Sequence, residues 1–175
     1  MKFINNVNET LRDDMAAEMQ KGSKLSIAAA YFSIYAFEAL RKELSNIDEY
    51  GFMLYHNEMH TDFEVKLRNE LNQKAIAREC AAWVKNKAVF KSNVGNKDIT
   101  DKFILLDDKA YFPVNGFTTV DLGCEQGNNM GTNIAKVASP MSLTLLEQFE
   151  KLWQNNEELK DVTDKVISSI SSAYN

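Results

Sequence analysis

The chain has 175 residues, of which 45% are hydrophobic; this fills the core of one domain, or of one domain with a helical tail, and excludes a disordered chain. A formal net charge of -5 argues against a domain whose whole surface grips a phosphate backbone. No apolar run approaches the roughly eighteen residues of a membrane span, and two cysteines, Cys80 and Cys124, make no disulfide framework. The opening MKFINNVNET turns polar at once and lacks a signal-peptide core, so cytoplasmic residence is the default expectation.

Val7, Leu11, Met15 and Met19 recur every four residues and predict a first helix over Asn5–Gly22, capped by Asn5 or Asn8. Lys24–Ser33 follows with small and apolar residues on both faces, the pattern of a central strand covered on each side. Ser33 is placed to cap a second helix whose buried side carries Ile34, Phe37, Leu40 and Leu44. Tyr50–His56 reads as a strand, and Thr61 or Asp62 as the cap of a helix carrying Phe63, Val65, Leu67 and Leu71. A further helical segment holds Ile76, Ala77, Ala81, Ala82, Trp83 and Val84, before a short strand at Ala88–Phe90 and a polar loop to Thr100.

Phe103–Leu106 is an uninterrupted apolar run, Asp107-Asp108-Lys109 a turn, and Ala110–Val114 the returning strand. Lys102 stands at the start of this hairpin and Asp107 at the end of its first strand, where a bend is expected. Asp121–Gly131 reads as a glycine-punctuated loop, Thr132–Ala138 as a strand, and Ser139-Pro140 as the opening of a helix through Trp153. A last helix spans Asp161–Tyr174. Helices alternating with strands, interrupted by one hairpin, indicate an α/β sandwich with a mixed sheet. There is no internal repeat. The domain is expected to cover 1–156, with a C-terminal helix over 157–175.

The central stretch resembles the second half of a phospholipase D-like domain, whose signature is HxKxxxxD followed by GSxN. Thr100 falls on the histidine, Lys102 on the lysine and Asp107 on the aspartate; Pro113, Val114 and Gly116 fall on glycine, serine and asparagine. Phe117, Thr118 and Leu122 continue as the family's NFT…GL ending does. Phe3-Ile4, Asn8 and Leu11, then Ala29–Ser33 and Phe37–Leu40, resemble the start of the phospholipase D-like module found at the N-terminus of bacterial Swi/Snf-related helicases, and Phe149–Trp153 its closing element. The resemblance implies a phospholipase D-like sandwich with a mixed β-sheet flanked by helices, and a helicase domain outside this chain.

In that family the histidine attacks phosphorus and is phosphorylated, lysine and asparagine stabilise the phosphoryl oxygens, and the aspartate orients the histidine. Two motifs must face each other, so single-motif members pair across a two-fold axis. Here Thr100 offers a hydroxyl with no adjacent base, and Gly116 has no side-chain donor. The resemblance therefore implies a site without catalytic residues, in which Lys102, Asn115 and Thr118 remain as phosphate-binding candidates. A one-residue slip in the alignment would restore an amide at Asn115 but no histidine.

Other constellations carry less. His56 and His60, four apart in HNEMH, differ from HExxH and fall in a turn, where two surface histidines are the ordinary outcome. Gly123, Gly127 and Gly131 are not followed by the Lys-Ser/Thr of a P-loop. Lys85, Lys87, Lys91, Lys97 and Lys102 form a candidate basic strip for nucleic acid or, alternatively, a solvated lysine-rich loop. No cofactor and no metal is expected. Of Tyr111, Phe112, Val114 and Phe117, two should enter the core by strand alternation and two should face outward, where a second copy of the chain could cover them. Three functions follow: a catalytically degenerate accessory module of a helicase or restriction-type system, an active phosphodiesterase or nuclease with a non-standard nucleophile, or an unrelated α/β interaction domain.

Overall fold

A computed structural model describes residues 1–54, 70–94, 101–126 and 133–173. Its strands are β1 (Lys2–Ile4), β2 (Lys24–Ala29), β3 (Tyr31–Phe32), β4 (Glu49–Leu54), β5 (Ala88–Asn93), β6 (Phe103–Leu106), β7 (Lys109–Tyr111), β8 (Gly116–Phe117), β9 (Ile134–Val137) and β10 (Leu159–Asp161). Eight of them form one sheet in the order β1-β9-β7-β6-β2-β4-β5-β10, and β3 pairs with β8 in a separate ribbon. The β2–β4 and β4–β5 pairs are parallel; β2–β6, β6–β7, β7–β9, β1–β9 and β5–β10 are antiparallel. This is the expected mixed sheet, with β2 at its centre.

The helices are α1 (Leu11–Glu18), α2 (Ile34–Ala39), α3 (Arg41–Leu44), α4 (Glu70–Lys87), α5 (Thr119–Leu122), α6 (Met141–Trp153) and α7 (Thr163–Ala173). One sheet face, built from Ile27, Phe52, Phe90, Ile104 and Tyr111, packs against Leu11 and Met15 of α1, Phe37 of α2, Cys80 and Trp83 of α4 and Ile170 of α7. The other face, built from Ala28, Met53, Phe103 and Leu105, packs against Leu145, Phe149 and Trp153 of α6. Burying a large apolar side chain such as Ile27 or Phe52 in these layers stabilises the fold by about 2 kcal/mol each.

Several boundaries differ from the sequence reading. The first helix begins at Leu11, capped by Thr10, whose hydroxyl accepts from the Asp13 amide. Lys2–Ile4 form edge strand β1, and Val7, in the bend between β1 and α1, is exposed rather than on the helix's apolar face. Ser33 caps α2 as expected. The helical stretch it opens divides at Leu40 into α2 and α3. β5 runs on to Asn93, and the returning hairpin strand β7 ends at Tyr111. Asp121 lies in α5 rather than in a loop. Residues after 156 add β10 to the sheet edge beside β5 before α7 packs on α4.

One ionic cluster fixes α1 to the hairpin side of the sheet. The Asp14 carboxylate accepts from the Tyr111 hydroxyl at 2.6 Å, and from the ammonium groups of Lys136 at 2.7 Å and Lys2 at 3.0 Å. Burial opposes its charge, but these three partners override that opposition and hold the carboxyl at about 2.

Candidate functional site

β2, β4 and β5 end at Ala29, Leu54 and Asn93, and antiparallel β6 begins at Phe103 opposite Ala28, so all four meet at one edge of the sheet. Lys102, half-buried, immediately precedes β6 and therefore sits at this edge. Past Ala30 the chain continues as β3, which takes β8 as a parallel neighbour with Tyr31 opposite Gly116. That pairing brings the loop carrying Asn115 to the same edge.

Gly116 is a close-approach glycine. Its φ is +144°, and a Cβ placed there would lie 2.6 Å from Ala29 Cβ and 2.8 Å from the Tyr31 carbonyl oxygen. The motif position for a catalytic asparagine thus has no room for a side chain. Asn115, the residue before it, is half-buried.

The loop is held from beneath by a carboxylate that sequence reasoning missed. Asp121, 3% exposed, accepts from the backbone amides of Val114 and Asn115 at Oδ1, both at 3.1 Å, and from Gly116 at Oδ2 at 3.0 Å. The Thr118 hydroxyl donates to Oδ2 at 2.6 Å and accepts from the Asp121 amide at 3.1 Å, capping α5. Burial pushes this carboxyl up from the ordinary carboxylate range, against the pull of the hydroxyl and the three amides. Thr118, a phosphate-binding candidate, is buried with its proton committed to Asp121. The signal available in the sequence was the Thr-x-x-Asp spacing of a helix start.

Asp107 is at the other end of β6, five residues from Lys102 or roughly 16 Å along a strand. It turns the chain with φ 51°, which is the expected bend. Its carboxylate accepts from the Ser23 hydroxyl and the Lys24 amide. Its carboxylate thereby joins the end of β6 to the start of β2. Thr100, His56, His60, Lys97, Gly127 and Gly131 lie outside the described residues.

Two members of the basic strip are tied to the domain itself. Lys87 Nζ donates to the Ile47 carbonyl at 2.8 Å, and Lys91 Nζ donates to the Trp153 carbonyl at 3.0 Å while lying 4.5 Å from that indole's centre. Cys80 is buried, which pushes its thiol up, and Cys124 is exposed. A groove of about 400 Å³ lies at the opposite sheet edge, lined by Lys24, Glu49, Gly51, Val89 and Trp153. Of its two lysines, Lys24 is paired with Glu150 at 2.5 Å and Glu49 at 3.5 Å, and Lys87 is held by the Ile47 carbonyl. Among the described residues no helix is long and apolar enough to cross a membrane.

No protein-family model matches the sequence, and no curated protein matches it. Solved structures do. Phosphatidylserine synthase of Haemophilus influenzae Rd KW20 is 12% identical, with a TM-score of 0.57 over 99% of this chain and 42% of that one. A mutant of yeast tyrosyl-DNA phosphodiesterase is 15% identical, with a TM-score of 0.51 over 98% of this chain and 38% of that one. Both belong to the phospholipase D superfamily, and the chain has a phospholipase D-like fold. It spans about two fifths of the length of these two structures.

Proposed function

We propose that the chain is a phospholipase D-like module that binds a phosphate-bearing ligand, a nucleic-acid strand, without cleaving it, and that it serves as the accessory domain of a cytoplasmic helicase or restriction-type system. The observation that carries the reading is Gly116. Where the catalytic asparagine would project, any side chain would collide with Ala29 and Tyr31, so the packing itself excludes the amide. The other motif change points the same way: a threonine replaces the nucleophilic histidine, and the chain's two histidines, His56 and His60, are elsewhere in the sequence. Lys102 and Asn115 remain at the site edge as a cation and an amide for a phosphate oxygen.

The same proposal includes a homodimer. Tyr111 and Phe117 are fully buried, whereas Phe112 and Val114 are 36% and 46% exposed. By register Phe112 lies beside Ala135, which is itself opposite Phe3, 61% exposed on edge strand β1. This apolar row is on the sheet face that carries α6, and a second copy would cover it.

The test of the binding reading is direct. Purified protein is mixed with single- and double-stranded DNA and with a chromogenic phosphodiester. Binding that weakens in Lys102→Ala, without product in any reaction, is the expected result. Turnover that disappears in Lys102→Ala would overturn it and identify an active phosphodiesterase.

A further inference from the structure

We infer that Asp121 is a positioning residue for this site: its carboxylate fixes the Val114–Thr118 loop in the conformation that presents Asn115 at the edge where Lys102 enters β6. The inference rests on the binding reading above and adds to it the group that sets the site's geometry. Three successive backbone amides and one hydroxyl converge on two oxygens of a single buried side chain. Buried amides need an acceptor, and this loop has no strand ladder beyond the two-residue β3–β8 ribbon to provide one. At its tightest point, where Ala29 and Tyr31 leave no room for a Cβ, the loop has a glycine and therefore no side-chain packing of its own.

The backbone of Asp121 is itself held from behind. The Asp121 carbonyl accepts from Asn6 Nδ2 at 2.9 Å, and Asn6 Oδ1 accepts from the Leu11 amide at 2.8 Å. Gly123, φ +82°, closes over Asn6 so tightly that a Cβ there would lie 2.6 Å from Asn6 Oδ1. The loop, α5 and the start of α1 therefore form one hydrogen-bonded unit, and Asp121 is its shared member.

Asp121→Asn tests this, because geometry and charge predict opposite results. Asparagine keeps one acceptor oxygen but presents an amide nitrogen towards the Gly116 N–H, donor against donor. It also removes a negative charge from beneath a site proposed to take a polyanion. Charge alone predicts tighter binding; positioning predicts weaker binding. The full chain and the variant are titrated with a labelled single-stranded DNA oligonucleotide, and amide hydrogen exchange is followed in both without DNA. The expected result is about tenfold weaker binding in the variant. The Val114, Asn115 and Gly116 amides should exchange faster, while those of Ile104 and Tyr111 in the sheet do not. Unchanged or tighter binding by a folded variant overturns the inference while leaving the binding reading intact. No binding by the unmodified chain overturns both. If Asp121→Asn does not fold by circular dichroism, Thr118→Val takes its place: it removes one donor and keeps the carboxylate. Weaker binding there supports the inference, and unchanged binding overturns it.

Discussion

The Asp107 carboxylate accepts the Ser23 hydroxyl at 2.7 Å across 84 residues of chain. It also accepts the Lys24 amide at 3.0 Å, and the Asp107 amide returns a bond to the Lys24 carbonyl at 3.1 Å. The start of β2 is thereby closed onto the end of β6, and an aspartate that resembles a catalytic-motif residue works as a clamp between two central strands.

Asp107→Ala is accordingly expected to destabilise the fold by about 1.5–3 kcal/mol, the range for hydrogen bonds to a charged group. Asp107→Asn should cost less, since asparagine tolerates a positive φ and keeps one acceptor. Urea unfolding of the two variants is the measurement. A stability unchanged in Asp107→Ala, with ligand binding lost, would return the residue to the site.

Gly116→Ala is expected to cost about 1–3 kcal/mol or more, from overpacking against Ala29 and from the positive φ. For the same reason a Thr100→His, Gly116→Asn double variant should gain no hydrolytic activity on a chromogenic phosphodiester. Activity appearing in that variant would mean that the loop can move aside and that the site is only two substitutions from function.

Asp14 sets an acid limit on stability. Its folded pKa is depressed, to about 2 from the ordinary 3.8, so its contribution is complete above the unfolded value and is lost as pH falls through the folded one. The shift corresponds to roughly 2 kcal/mol at neutral pH. Thermal melts of Asp14→Asn should show lower stability than the unmodified chain at pH 7, with the gap narrowing between about pH 4 and pH 2. A gap constant across that window would remove the assignment.

The proposed dimer predicts that Phe112→Asp and Phe3→Asp each shift the sedimentation coefficient at micromolar concentration towards that of a monomer. Both side chains are exposed and contribute little to the domain's own core, so the melting temperature should be nearly unchanged. A monomer before substitution, or a dimer insensitive to both changes, argues against this face.

Much of the fold follows from local pattern. The small and apolar residues of Lys24–Ser33 predict a strand buried on both faces, which the structure ends at Ala29, and Phe103–Leu106 predicts another; the two are neighbours at the centre of the sheet. Ser33 caps its helix because a hydroxyl before an apolar helical run satisfies a free amide wherever it occurs. The expected division of four bulky residues into two buried and two outward holds, with Tyr111 and Phe117 in the core and Phe112 and Val114 exposed, although the hairpin strand ends at Tyr111 and Phe117 is buried through the separate β3–β8 ribbon. The mixed α/β architecture is legible for the same reason: it is a sum of such short-range choices.

The site was less legible, because its parts acquire their roles from distant partners. A lone Asp107 does not reveal that Ser23 and Lys24 will be its donors, and the Thr-x-x-Asp pattern at Thr118 does not reveal that the aspartate also gathers three amides from the preceding loop. Residues after 156 read as a helix alone, since a three-residue strand such as β10 has too little pattern to be seen until β5 offers it an edge. Periodicity is a property of neighbouring residues and is present in the unfolded chain. Which carboxylate accepts which amide, and which glycine is pressed against another strand, is decided only when packing brings together segments far apart in sequence and removes the water that would otherwise satisfy them.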